Sequence, residues 1–170
     1  MINVALIGFM GSGKTSVGHV LAKRLGYSFV DTDMFIEKRT GRSIPEIFKN
    51  DGEEAFRRIE SVALKEVLAG KGKVVACGGG IALREENRLE LKRRAVVVYL
   101  KAGTPELFRR VGETGEQRPL LNVEDPEAEI GRLLKQREPQ YESIADIAID
   151  TSGKTIRSVV DCIMEALKNK

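Results

Sequence analysis

The segment Gly8-Phe9-Met10-Gly11-Ser12-Gly13-Lys14-Thr15 constrains this chain more than any other. It satisfies G-x-x-x-x-G-K-[ST], with the apolar run Val4-Ala5-Leu6-Ile7 before it and a helical pattern after it. Binding a triphosphate requires several N–H donors converging on its oxygens, so the backbone must approach closely and turn sharply. Gly11 and Gly13 permit that turn. The start of the following helix adds unpaired N–H groups and the positive end of its dipole. Lys14 supplies a point charge for the β- and γ-phosphates, and the Thr15 hydroxyl suits Mg²⁺. A strand, a glycine loop and a helix in that order predict an α/β fold that binds a nucleoside triphosphate.

The remainder of the chain repeats that alternation. Continuously apolar, β-branched-rich runs at 4–7, 28–30, 74–77, 95–100 and 147–149 read as strands covered on both faces, hence a parallel sheet. Helical spacing appears at 15–25, where Val17, Val20, Leu21 and Leu25 fall near one face. It recurs at Phe56, Ile59, Ala63 and Val67, then over 125–141 and 154–167, with Pro126 at a favourable first-turn position. Helices on both faces of one sheet follow. The 170 residues suit a single domain, 1–170, with no repeat and no linker. Segment 112–127 differs, being polar, interrupted by Pro119 and Pro126 and without clear periodicity, and reads as a mobile loop or lid.

Composition excludes more than it selects. A net charge of +3 with 5% aromatics, no Trp and no long Lys/Arg run gives no basis for nucleic-acid binding. Cys77 and Cys162 fit no zinc spacing and read as free thiols of a cytoplasmic protein. The single histidine, His19, cannot build a His-rich metal site. No run approaches the roughly 20 apolar residues of a membrane span, and the N-terminus lacks the features of a leader.

Two carboxylates are placed for chemistry. Neither 74–77 nor 95–100 ends in an acid, but 28–30 runs into Asp31-Thr32-Asp33. At strand period two, both carboxylates would face the ligand edge of the sheet. Asp31 is assigned to the Mg²⁺ shell, through water, and Asp33 to the acceptor hydroxyl as base or orienting group. The competing reading makes them helix-capping residues, with Asp33 capping 34–39, and Asp150 is the rival strand-end acid.

Candidate anion-binding groups lie further along. Arg57 has Glu53 four residues before it and Glu60 three after, so its guanidinium can be pinned as a bidentate clamp or be an ordinary surface ion pair. Gly78, Gly79 and Gly80 let another molecule touch backbone, or form a tight turn. Arg118 could swing over the phosphates. Arg137, near the end of a helical pattern, could equally complement the helix dipole.

Together these motifs resemble the shikimate kinases over essentially the whole length. The resemblance rests on 8–15, Asp31-Thr32-Asp33, Gly41-Arg42-Ser43-Ile44 with Ile47-Phe48, Gly52-Glu53 with Phe56-Arg57 and Glu60, the glycine triplet, Arg118-Pro119-Leu120-Leu121, and Arg137 with Tyr141. It implies a three-layer P-loop fold of nucleoside-monophosphate-kinase type, with a five-stranded parallel sheet and a monomeric state. It implies ATP-dependent phosphorylation of the shikimate 3-hydroxyl in aromatic amino-acid biosynthesis. Catalysis would fall to Lys14, Asp33 and Arg118. Gly11, Ser12, Gly13, Lys14, Thr15, Ser16, Arg110 and Arg118 would hold ATP, with Arg110 by the adenine. Asp33, Arg57, Gly78, Gly79, Gly80 and Arg137 would hold shikimate within a region at about 33–60 and its surroundings, and Thr15 and Asp31 would serve Mg²⁺.

The residues alone leave rivals open. A gluconate or nucleotide kinase would share the phosphate loop but need another acceptor pocket. A GTP-dependent switch would need N-K-x-D, which is absent, although Asp150 to Gly153 matches D-x-x-G and is placed to line the purine side. A ligand sensor on the same fold would lack the chemistry that Lys14, Asp33 and Arg118 provide.

Overall fold

The computed structural model describes residues 2–114 and 119–170. Within them, five strands form one sheet: β1 (Asn3–Ile7), β2 (Ser28–Asp31), β3 (Lys73–Ala76), β4 (Ala95–Lys101) and β5 (Ile147–Asp150). Their order is β2-β3-β1-β4-β5, and every neighbouring pair is parallel. The helices are α1 (Lys14–Leu25), α2 (Thr32–Thr40), α3 (Ile44–Leu68), α4 (Glu85–Arg94), α5 (Thr104–Thr114), α6 (Pro126–Ile144) and α7 (Ile156–Lys168).

The strands separate two cores by simple alternation. Ala5 and Ile7 of β1, with Val75, Val97 and Tyr99, pack against Leu64, Leu68, Leu91, Tyr141 and Ile144 of α3, α4 and α6. Val4 and Leu6, with Val74, Val98 and Leu100, pack against Val17, Leu21, Val159 and Ile163 of α1 and α7. Successive side chains point to opposite faces, so the four apolar residues in a row from Val4 to Ile7 feed both layers. Only the inner strands follow this rule fully. β2 and β5 are edges and stay half-exposed, which corrects the expectation of strands covered on both faces throughout. Val20 of α1 is likewise 37% exposed and does not join the core face.

Three local features depart from the sequence reading. α3 begins at Ile44, well before the helix expected at 51–60. Ser43 and Glu46 form a capping box there, with Pro45 in the first turn. The helix is kinked at Gly52, whose φ of 84° and ψ of 170° suit glycine alone. α2 follows β2 without a gap, and Asp31 caps it by accepting from the Asp33 and Met34 N–H groups at 3.0 and 3.3 Å. Asp33 is therefore a first-turn helix residue, and neither its cap role nor the strand-period argument holds. Finally, segment 112–127 is not loop throughout: α5 runs to Thr114, a 3₁₀ turn occupies Pro119–Leu121, and α6 starts at Pro126 with Asp125 as its cap.

α6 carries a buried stripe of Ile130, Leu133, Arg137, Tyr141 and Ile144. It continues to Ile144, so Arg137 sits in mid-helix, and the dipole-complement reading of that residue does not apply. Its place on the stripe sends a guanidinium inward among apolar neighbours.

Candidate functional site

All five strands deliver their carboxyl ends to one rim, where open α/β sheets bind ligands. β1 is central and runs into the phosphate loop. Gly11 and Gly13 adopt positive φ of 80° and 92°, as the turn requires. Lys14 Nζ donates to the carbonyls of Gly8 at 2.9 Å and Phe9 at 2.8 Å, which folds its side chain back over the loop. Ser12 is buried, and Gly11, Ser12, Gly13, Lys14, Thr15 and Ser16 all line a cavity of about 630 Å³.

The same cavity is bounded by Asp31, Asp33, Cys77, Gly78 and Gly79 on one side and Arg109, Arg110, Thr151, Gly153 and Lys154 on the other. The D-x-x-G turn thus lines it as expected. Asp150 itself is exposed and accepts from the Ser152 N–H at 2.9 Å, so it shapes that turn and is no rival metal ligand. Burial pushes the Cys77 thiol up, which keeps it protonated and inert.

Thr15 Oγ1 donates to Asp31 Oδ2 at 2.8 Å. A hydroxyl and a carboxylate oxygen side by side on the wall of this cavity are the hard donors that Mg²⁺ prefers. Asp31 reaches this position through its role as the α2 cap, which leaves Oδ2 for Thr15.

Arg110 makes the least foreseeable contacts. It donates to Thr151 Oγ1 at 3.0 Å, to the Thr151 carbonyl at 3.1 Å and to Glu106 at 2.8 Å, and its Nη1 lies 3.4 Å from the Gly11 carbonyl. It ties the phosphate loop to the end of β5 while lining the nucleotide cavity. Thr151 and Lys154 were not singled out from sequence, and only the D-x-x-G turn beside them hinted at their place.

A second, smaller cavity of about 80 Å³ opens alongside, lined by Asp33, Phe48, Phe56, Arg57, Glu60, Gly78, Gly79, Gly80 and Arg137, with Met10 at its edge. Arg57 is buried, and so is Arg137. Arg57 pairs with Glu60 at 2.9 Å and Glu53 at 3.1 Å, so the i, i+3 and i, i+4 partners hold its fork in place. Burial opposes its charge, but the attraction and hydrogen bonds of the two glutamates prevail and hold the guanidinium above its usual range. Glu60 is fully buried, and burial wins there. Its carboxyl is raised despite Arg57 and Arg137, and its Oε1 has no hydrogen-bond partner. The two partners shift upward for opposite reasons: burial raises the Glu60 carboxyl, whereas Arg57 rises in spite of burial because two acids lie beside it.

Arg137 lies over the Phe9 ring at 5.6 Å, and its Nε is buried without a hydrogen-bond partner. Arg57 is balanced by its two glutamates, whereas Arg137 has no carboxylate at hydrogen-bond distance among the described residues, so the cavity between them suits an anion. Gly78 and Gly80, though not Gly79, are required by the same crowding. A Cβ on Gly78 would come within 2.8 Å of Asp33 Oδ1 and of Glu60 Oε1, and one on Gly80 would overlap the Arg57 guanidinium.

The two cavities share Met10, Asp33, Gly78 and Gly79. The phosphate-loop cavity and the arginine-lined cavity therefore meet at one carboxylate, Asp33. Arg118 falls outside the described residues. A larger hollow of about 800 Å³ lies between the start of α3 and the α5–α6 segment, and includes Phe48, Phe108, Val111 and Ile130 but no phosphate-loop residue.

The family model described as shikimate kinase matches residues 10–168. A shikimate kinase of Thermodesulfovibrio yellowstonii is 48% identical over 165 residues, covering 97% of this chain and 94% of that one. One from Caldanaerobacter subterraneus is 44% identical, covering 98% and 96%. The solved structure of shikimate kinase from Acinetobacter baumannii in complex with shikimate superposes with a TM-score of 0.96 at 42% identity, covering all of this chain and 95% of that one.

Proposed function

The chain belongs to the shikimate kinase family, and from that premise we propose how its own residues carry the reaction. It is a small-molecule kinase: ATP-dependent phosphorylation of the 3-hydroxyl of shikimate, a step of chorismate and aromatic amino-acid biosynthesis. The observation that carries the division of labour is the meeting of the two cavities at Asp33.

Arg57 and Arg137 clamp the shikimate carboxylate, the anion that their buried charges call for. Gly78, Gly79 and Gly80 bring backbone against the ring. Asp33 accepts the proton of the 3-hydroxyl, or orients it, as the hydroxyl oxygen bonds to the γ-phosphorus and the bond to the bridging oxygen of ADP breaks. Lys14 and the N–H groups of the loop meet the charge on the departing phosphates. Thr15 and Asp31 would hold Mg²⁺, which when bound neutralises phosphate charge. Arg118 is proposed as a further cation for the transferring group, and the 112–127 segment as the lid that excludes water. Arg118→Ala is then expected to lower turnover about 10³-fold or more with the fold intact.

We further place the protein in the cytoplasm as a monomer. Its thiols, Cys77 and Cys162, are unbridged, and among the described residues no helix is long and apolar enough to cross a membrane. Sedimentation of the purified chain tests the monomer.

The decisive experiment measures ADP release from MgATP with shikimate, gluconate, a nucleoside monophosphate or no acceptor. Release that depends on shikimate is expected. Release with gluconate or a nucleotide in its place would sink the roles given to Arg57 and Arg137 while keeping those of the phosphate loop.

A further inference from the structure

Tyr141 has no place in the mechanism so far, yet its hydroxyl touches the acceptor loop. It is fully buried, one helical turn after Arg137 on the same stripe of α6, and its ring packs on that of Tyr99 at a centroid distance of 5.1 Å. From that wedge its hydroxyl donates to the carbonyl oxygen of Gly79. Burial drives the phenol up to about 12, against the pull of Arg137 and Arg57, so it is a donor at every physiological pH.

The peptide that follows explains what this bond accomplishes. The chain contains no cis peptide among its described residues, so the Gly79 carbonyl and the Gly80 N–H point in opposite directions across one rigid plane. Holding the carbonyl toward the core turns the N–H away from it, toward the acceptor cavity that Gly80 lines. Gly80 is buried, and its N–H meets no acceptor in the described structure. A backbone N–H without a protein acceptor on the wall of a cavity is available to a ligand there. It sits where the Arg57 guanidinium crowds Gly80, while Arg137 Nη1 would lie 3.7 Å from a Cβ on Gly79.

We propose that Tyr141 is a positioning residue: by fixing the Gly79 carbonyl it presents the Gly80 N–H, between the two guanidiniums, to an oxygen of the acceptor. The inference rests on the acceptor-pocket reading above. One turn of α6 then supplies both a charged clamp and the hydroxyl that sets the backbone donor beside it. A shift of that helix would loosen both together.

Tyr141→Phe removes the hydroxyl and keeps the ring. Steady-state kinetics should show KM for shikimate rising about 5–20-fold, as expected for a lost well-placed hydrogen bond, with KM for MgATP and shikimate-independent ATP hydrolysis unchanged. An unchanged KM for shikimate, or equal rises for both substrates, overturns the proposal. Tyr99→Phe strips the facing ring of its hydroxyl and should change neither constant; an effect equal to that of Tyr141→Phe also overturns it. The wild-type chain gives a test that needs no variant. The ¹⁵N-labelled Gly80 amide should shift on adding shikimate without nucleotide, and a resonance that stays still refutes the assignment. Absence of any shikimate-dependent ADP release from the wild type would instead remove the acceptor reading itself, and this inference with it.

Discussion

Between Gly8 and Thr15 the chain makes a phosphate site largely out of backbone; between Asp33 and Arg137 it makes an acceptor site out of side chains. The first needs one strand, one turn and one helix, all within a single short segment. The second gathers Asp33 from α2, Arg57 and Glu60 from α3, three glycines after β3 and Arg137 from α6. Their energetics differ as well. Loop N–H groups and a helix terminus are dipoles that cost little to leave facing water. Buried guanidiniums are expensive, and among the described residues only Arg57 of the two has carboxylates at hydrogen-bond distance, while Arg137 keeps an unpartnered Nε. The nucleotide half is general machinery for triphosphates. On the proposed reading, the acceptor half is built for one particular anion and sets specificity.

If that division is real, substitutions in the two halves must separate in kinetics. The largest effect is expected from Lys14→Met. Losing a cation aimed at the transferring charge should cut kcat about 10²–10³-fold, as removal of one oxyanion donor does. KM for shikimate should stay within about threefold in that variant, because no acceptor group is touched. Asp33→Asn, at the junction, should lower kcat by about 10²–10⁴ with both KM values nearly intact, the range of general acid–base catalysis. A large rise in KM for shikimate in Lys14→Met would mean that the halves are not independent.

Next come the clamps. Arg57→Lys and Arg137→Lys keep the charge but lose the planar fork. Each should raise KM for shikimate about 10–100-fold, equivalent to roughly 1.5–3 kcal/mol of charge-assisted hydrogen bonding, with KM for MgATP little changed. Arg57→Lys should also lower the melting temperature more than Arg137→Lys does, because it loosens the hold on the buried Glu60 as well. Equal losses of stability would place the two arginines in equivalent surroundings, contrary to their different partners.

The same contrast explains what could be read from sequence. A site made by consecutive residues is written in consecutive letters, so the phosphate loop and the strand–helix alternation around it were plain, and the central strands fell within a residue or two of their observed bounds. Arg57 and Arg137 each looked like surface ions when taken alone. What distinguishes them is burial, and burial depends on where the helices begin and end. Reading Ser43 and Glu46 as a capping box would have started α3 at Ile44. Reading Ile130, Leu133, Tyr141 and Ile144 as one stripe would have placed Arg137 on its buried side. Asp31 and Asp33 reached the ligand rim for a reason other than strand alternation. A helix cap and a first-turn position superseded the pleat, because α2 follows β2 with no intervening loop.

The smallest expected effect tests where the acceptor half keeps its charge. Burial raises the Glu60 carboxyl above its ordinary value of 4.5, only partly offset by Arg57 and Arg137. A carboxyl raised on folding holds its proton more tightly in the native state. Its contribution to stability is therefore complete below the unfolded value and is lost as pH rises through the folded one. Glu60→Gln is neutral at every pH and removes this dependence. The difference in melting temperature, variant minus wild type, should thus become more positive as pH rises above the ordinary value of 4.5. Activity should move the other way. Glu60→Gln keeps an oxygen that can accept from Arg57 but leaves the half-exposed Glu53 as the acid at hydrogen-bond distance from it, and KM for shikimate should rise about 3–10-fold as a charge-assisted hydrogen bond becomes a neutral one. A variant with unchanged KM and a flat temperature difference would mean that Glu60 titrates alike in the folded and unfolded chain. The charge that prepares the acceptor half would then reside in the arginines alone, and the pairing of Arg57 with Glu60 would serve packing, with no part in binding.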